Sequence, residues 1–449
     1  MSLTSPRAAC VAAALFLLGP GLAAPPPSPK QPVAEGPNGW PKLTAKSAIL
    51  VDAASGQVLW QQAADEVRFP ASLTKMMTAL LILEQGNLND TVVVSPRAAS
   101  TGESSAHLEA GDRVSLRDLL VAVLLPSAND ASVAAAEHVG GSLEAFVERM
   151  NARAPELGLT ATHFMNPSGL PAPRHVSSAR DLARLACAAM KLPTFRELVR
   201  LDRAEITRRP AGGKAPPRTG KLENHNRLVL RRNGRYWPLA DGVKTGYTHE
   251  AGRCLVASAT KDGWQLLCVV LGCTDSWTDS RRLLEWGFAD FRRERAVTAG
   301  QTTARVHVID GSPPEVVAVA KSSIDAVLPL QAPPAVARVS ESYPTAPVPP
   351  GAEVGELVVS GLDGTEMRAT LVTMQPVRRS LIARIRDHWG IVVASILALA
   401  LLGALVVHGA VAKAAGARRR GVATDVRGDD QGGPRNGRRR GRAAPGPPG

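Results

Sequence analysis

Aromatic side chains are scarce in this chain of 449 residues: Phe, Tyr and Trp make up 4%, and only three are tyrosine. A protein that stacks nucleic-acid bases needs aromatics among its basic residues, and the Arg-rich C-terminal stretch has none, so no nucleic-acid partner is expected. Cysteine is also sparse, five in all, which excludes a disulfide-stapled scaffold. Neither the cysteines nor the nine histidines show ligand spacing, so no metal and no cofactor is expected. No segment repeats. The formal charge of +13 is largely local: +7 lies from Lys413 onward and +1 at Arg7, leaving about +5 for the body.

What is present begins at the two ends. Arg7, the apolar run Ala8 to Leu18 and the small residues Gly21, Ala23 and Ala24 read as a secretory signal, residues 1–23. Gly390 to Val407 holds eighteen uncharged residues, and the apolar character continues to Ala412. At about 1.5 Å per residue a helix over 390–412 is long enough to span a bilayer core of about 30 Å. Trp389 is placed for one interface, and the basic tail, 413–449, fits the positive-inside rule. The expected location is a single-pass cell-membrane protein with its bulk extracytoplasmic and a disordered basic tail in the cytoplasm. Cys187, Cys254, Cys268 and Cys273 remain after signal removal; Cys254 and Cys268 could pair or could be buried thiols.

Between the ends, a Pro-rich linker (24–41) precedes a mixed segment, 42–296. Ala48–Asp52 and Gln57–Trp60 read as strands around a turn; Leu73–Gln85, Leu116–Leu125 and Ala179–Met190 read as helices. The last two open with Ser-x-x-Asp, a capping-box variant. Gly252–Thr260 and Trp264–Gly272 form a hairpin around Lys261-Asp262-Gly263, and a helix over Asp279–Phe291 closes the segment. Strands at both sequence ends with helices between imply an α/β (α+β) fold, one sheet covered by a helical subdomain. Short alternating runs over 297–379 imply a small all-β domain.

Three motifs carry chemistry. Ser72-Leu73-Thr74-Lys75 puts a hydroxyl and an amine three residues apart, on one face if Pro70 leads into a helix. A lysine in a first helical turn opposes the helix dipole, and the same field lowers its pKa toward a useful base. A second copy, Ser258-Ala259-Thr260-Lys261, falls in a strand, where alternation and the turn account for it. Ser127-Ala128-Asn129 follows Pro126; read structurally these are helix caps, read chemically a proton relay and an amide for the acyl part of a substrate. Lys244-Thr245-Gly246 precedes the hairpin: either a turn with a solvated lysine, or an edge strand whose Lys244 and Thr245 bind a carboxylate while Gly246 admits a peptide backbone.

These motifs, with Val67 to Lys75, Ser127 to Ala131, His163 to Leu170, Asp241 to Thr248 and Glu250 to Gly252, resemble the serine D-Ala-D-Ala carboxypeptidases, the low-molecular-weight penicillin-binding proteins. The resemblance implies a β-lactamase/transpeptidase-like catalytic domain that trims stem pentapeptides of peptidoglycan through an acyl-enzyme and is acylated by β-lactam antibiotics. It implies Ser72 as nucleophile, Lys75 as base, Ser127 and Lys244 assisting the leaving D-alanine, Asn129, Lys244, Thr245, Gly246 and Tyr247 as substrate-binding residues, and an oxyanion hole from the Ser72 and Tyr247 N–H groups. Ala128 stands where the family often has glycine. D,D-endopeptidase or transpeptidase action, a β-lactamase and a non-catalytic wall-binding protein are the alternatives. The second motif and Lys244 are not separated by the Glu-x-x-Leu-Asn of class A-type β-lactamases; Glu197-Leu198-Val199-Arg200-Leu201 does not match it.

Overall fold

Residues Ser47–Asp52 (β1) and Val58–Gln62 (β2) are almost wholly buried and pair antiparallel, Leu50 opposite Trp60. The computed structural model describes residues 41–213, 215–340 and 343–421. The expected signal, the linker up to residue 40 and the tail beyond 421 lie outside the described residues. Ala240–Thr248 (β3), Gly252–Lys261 (β4) and Trp264–Cys273 (β5) complete an antiparallel sheet of order β2-β1-β5-β4-β3, which leaves β3 at an edge. The β4–β5 turn is Asp262-Gly263, both with positive φ, so the strands close through a two-residue loop.

Both faces of this sheet are buried. Leu267, Val269 and Leu271 join a core with the helices Lys75–Gln85 (α1), Leu116–Leu124 (α2), Asn129–Gly140 (α3) and Ala179–Met190 (α4). Leu266, Cys268 and Val270 join a second core with Ser276–Asp290 (α5). The period of two along β5 produces this division. It also decides the cysteine question: Cys254 belongs to the first core and Cys268 to the second, so they face opposite sides of the sheet, and all four described cysteines are free thiols. Ser115 and Ser178 cap α2 and α4, accepting from the N–H of Asp118 and Asp181. Every residue of α1 from Lys75 to Ile82 is buried, which makes it the central helix.

Contacts divide the chain into two units. The first contains the sheet above and, from the β-rich segment, residues 297–306, 317–342 and 351–374. Within it Gln57 Nε2 donates to Val327 O at 2.8 Å, and Asp363 Oδ2 accepts from Val58 N at 2.9 Å. The strands Thr303–His307, Glu315–Ala320, Glu366–Thr373, Glu353–Ser360 and Ala337–Val339 lie in that order in a second sheet. The second unit contains residues 307–316, 343–350 and those from 375 onward. In it Gly311-Ser312 pairs with Arg378-Arg379, and a helix over Leu381–Asp387 precedes Trp389–Gly421 (α6). The part Trp389–Gly416 is long and apolar enough to cross a membrane, and none of its most apolar stretch is buried.

Candidate active site

The nucleophile turn departs from the expected single helix. Ala71–Thr74 forms a 3-10 turn, and the α-helix begins only at Lys75. Side chains three apart eclipse one another in a 3-10 turn, so the change of helix type still brings Lys75 Nζ to 3.0 Å from Ser72 Oγ. Ala71 holds a positive φ of 48° just before the nucleophile. The turn is clamped from two sides by glycines. A Cβ on Gly169, whose φ is +86°, would stand 1.9 Å from Ala71 O, and one on Gly246 would stand 3.3 Å from Ala71 Cβ. Gly246 therefore packs β3 closely on this turn.

Lys75 is fully buried and makes two further contacts at 2.6 Å, to Asn129 Oδ1 and to the Ser168 carbonyl. Asn129 Nδ2 donates to Gly102 O at 3.0 Å, which fixes its other terminal atom as oxygen. Both oxygens facing the amine can only accept. A neutral amine has two N–H groups and one lone pair; the two acceptors take the N–H groups, and the lone pair is left for the Ser72 hydroxyl. Electrostatics agree with that protonation state: burial, then the charge of Lys244, hold the Lys75 pKa well below its usual 10.5, against smaller opposing effects of Glu103 and Asp130.

The Ser127 motif is not a cap. Ala128 is the N-cap residue of α3, and no side chain bonds there. Ser127 is buried with φ +65°, and its Oγ has no hydrogen-bond partner among the described residues. A hydroxyl held unpaired in a sparsely populated conformation marks a functional position. Asp130 fixes the neighbouring loop, its carboxylate accepting from Ser105 Oγ and from the N–H groups of Ala106 and Leu108. Lys244 is also buried, donates to Thr245 O at 3.1 Å, and is brought by burial to a pKa of about 7. It is not the solvated lysine of a turn.

Ser72, Ser127, Asn129, Thr245, Gly246 and Tyr247 line one cleft of about 540 Å³, open to solvent, with Tyr247 exposed at its rim. Lys75 and Lys244 sit beneath it. A larger cavity of about 700 Å³ elsewhere is bordered by Cys187, whose thiol burial pushes up to about 12, far from a reactive thiolate.

The family described as Peptidase_S11, D-alanyl-D-alanine carboxypeptidase, matches residues 33–275. The chain belongs to this family. It is a serine hydrolase of the D-alanyl-D-alanine carboxypeptidase class. The D-alanyl-D-alanine carboxypeptidase DacF of Bacillus subtilis is 36% identical over 275 residues, 60% of this chain and 68% of the relative. The D-alanyl-D-alanine carboxypeptidase DacD of Escherichia coli is 31% identical over 374 residues, 78% of this chain and 91% of the relative. Among solved structures, penicillin binding protein 5 from Haemophilus influenzae superposes with a TM-score of 0.63 at 31% identity, covering 76% of this chain and 99% of its own.

Several S11 site features were not foreseen. The Ser168 carbonyl is aimed by Asn166, whose Oδ1 accepts from Ser168 N and Gly169 N and whose Nδ2 donates to Leu170 O. His175 accepts from Met165 N at Nδ1, so its Nε2 carries the proton and donates to Thr74 Oγ1 at 2.8 Å; burial keeps this ring neutral, with a pKa of about 4. Glu103, Arg227, Arg253 and Trp277 also line the cleft. A backbone carbonyl has no sequence signature, and the rest come from loops and from the first residues of a strand and a helix, with no periodic pattern.

Proposed function

We propose that this chain removes the terminal D-alanine from peptidoglycan stem pentapeptides by way of an ester on Ser72. The observation that carries the reading is the coordination of Lys75, held by Asn129 Oδ1 and the Ser168 carbonyl with its Nζ 3.0 Å from Ser72 Oγ. Ser72 Oγ attacks the carbonyl of the penultimate D-alanine as its proton passes to Lys75 Nζ. The developing oxyanion takes hydrogen bonds from the N–H groups of Ser72 and Tyr247. The C–N bond breaks as the proton held on Lys75 passes through the unpaired Ser127 hydroxyl to the leaving amine, which returns Lys75 to its neutral form, with Lys244 beneath as a group that titrates near neutrality. Water then attacks the ester, Lys75 takes its proton, and that proton is given to Ser72 Oγ as the acyl–Oγ bond breaks, which frees the acid and regenerates Ser72. The acyl part of the peptide lies along the open edge of β3, its amide met by Asn129, and β-lactams enter at the same serine.

The helix Trp389–Gly416 supports anchoring in the cell membrane, with the catalytic unit outside and the basic tail inside. A reporter enzyme fused after Gly449 is expected to be active only on the cytoplasmic side. The reaction is tested by D-alanine release from a pentapeptide ending in D-Ala-D-Ala. Release that disappears in Ser72→Ala supports the assignment; release that persists overturns it.

A further inference from the structure

Two acids line the active cleft, Glu103 and Glu223. Glu223 ends the strand Arg218–Glu223, stands opposite Arg203 in the strand register, and also borders a small recess with Arg203, Arg231 and Arg232. Cations are at hand for its charge. Glu103 is differently placed. It is exposed at the cleft, and among the described residues its carboxylate makes no ion pair and no hydrogen bond.

Asn129 decides where that carboxylate stands. Its backbone N–H donates to Ser104 O at 2.7 Å and its Nδ2 to Gly102 O at 3.0 Å, so the carbonyls on both sides of Glu103 are held by one residue. That residue is the one that meets the acyl part of the substrate in the reading above. Ser105 Oγ and the Ala106 N–H, both bound to the Asp130 carboxylate, fix the loop just beyond. Between these clamps Glu103 keeps a φ of +65°, which side chains of its kind rarely adopt. A peptide whose amide is held at Asn129 carries its preceding residue past this loop. The Glu103 charge also reaches the catalytic pair, where it is one of the smaller effects opposing the lowered Lys75 pKa. An unneutralised carboxylate beside the path of a side chain discriminates by charge: it attracts a cation there and repels an acid.

We propose that Glu103 selects the stem peptide by the residue just before D-Ala-D-Ala, favouring a side chain that ends in a free ammonium, as in a diamino acid, over one whose amine is acylated. This rests on the carboxypeptidase reading above. The preference directs the enzyme to stems whose side-chain amine has not been used in an amide bond.

The test uses the full chain in non-ionic detergent and two peptides, Nα-acetyl-L-lysyl-D-Ala-D-Ala and the same peptide with its ε-amine acetylated. The wild type is expected to favour the free amine in kcat/KM by roughly 5-fold at low salt, the upper end for an exposed ion pair, and by less at about 0.5 M NaCl. The ratio is the readout because a change in the Lys75 base alters both peptides alike. Glu103→Gln brings the ratio to about one, and Glu103→Asp keeps part of the preference. Glu103→Gly, which suits the left-handed conformation, gives the same loss and serves should the glutamine variant not fold. Glu223→Gln keeps the wild-type ratio. A wild type that releases D-alanine from neither peptide overturns the parent reading before any variant is compared. This proposal alone is overturned by a wild-type ratio near one, by a folded Glu103 variant, with unchanged circular dichroism, that keeps the preference, or by an equal loss in Glu223→Gln.

Discussion

Replacing Lys244 by methionine should stabilise the fold, and by an amount that depends on pH. The buried amine has a pKa of about 7 against 10.5 for an ordinary lysine. At about 1.4 kcal/mol per pH unit, the cost of keeping it charged inside the protein is roughly 5 kcal/mol. Below pH 7 the amine is protonated in both folded and unfolded chains, and the whole cost burdens the fold. Between 7 and 10.5 only the unfolded chain holds the proton, so unfolding takes one up and stability rises with pH. Above 10.5 both states are neutral and the cost has gone.

Lys244→Met removes this dependence and loses one hydrogen bond to Thr245 O, worth about 1 kcal/mol. The expected gain is therefore roughly 4 kcal/mol at pH 6 and close to zero at pH 9.5. The Lys75 pKa is also held well below its usual value, by burial and then by the Lys244 charge, so the comparison belongs in a Lys75→Met background. Urea unfolding of full-length protein in detergent, followed by tryptophan fluorescence at both pH values, gives the difference directly. An equal shift of the midpoint at pH 6 and 9.5 would refute the argument, because it would mean that the buried amine does not change protonation between them.

Lys75→Met should slow acylation of Ser72 by a fluorescent penicillin about 10²- to 10⁴-fold, the usual worth of a positioned base; a loss under tenfold would assign the base elsewhere. In the wild type the acylation rate should rise with pH and level off well below 10.5, since Lys75 must be neutral to accept the proton. Gly169→Ala should both destabilise the protein and abolish acylation, because its Cβ would stand 1.9 Å from Ala71 O at a φ of +86°; a variant of wild-type Tm would show the loop to be looser than described. Asn166→Ala frees the loop that aims the Ser168 carbonyl, so acylation should slow while the thermal midpoint falls by a few degrees. An unchanged acylation rate in that variant would remove Ser168 from the account of Lys75.

The motifs were legible because their chemistry is carried by side chains at short spacing. Ser72 and Lys75 are three residues apart, and whether those residues form an α-helix or a 3-10 turn, the hydroxyl and the amine meet. The hairpin was legible because alternation and Asp262-Gly263 allow one register only. Burial was not. In the sequence Lys244 fits a solvated turn as well as a carboxylate-binding strand, and only its burial brings its pKa to about 7. The second hydrogen-bond acceptor of Lys75 lies 93 residues away and is a main-chain atom, which no pattern of residue types records. Ser127 looked like a cap because caps and relays use the same hydroxyl; its missing partner separates the two.

Two buried lysines a short electrostatic distance apart are an unfavourable arrangement for stability, and the fold supports it with structure drawn from distant segments. Burial and then Lys244 hold the Lys75 pKa well below its usual value, and its Nζ is bound to a side chain from α3 and a carbonyl from the 166–169 loop. Each of those supports has its own support: Asn129 bonds the Gly102 carbonyl, and Asn166 closes the loop that carries Ser168. The lone pair of Lys75 is therefore oriented before any substrate arrives, and no rearrangement of the amine is needed when Ser72 attacks. A site built only to bind peptide would gain nothing from that arrangement, since neither lysine presents a charge to solvent. The cost falls on folding, and the return is a base whose pKa is already lowered and whose position is already fixed.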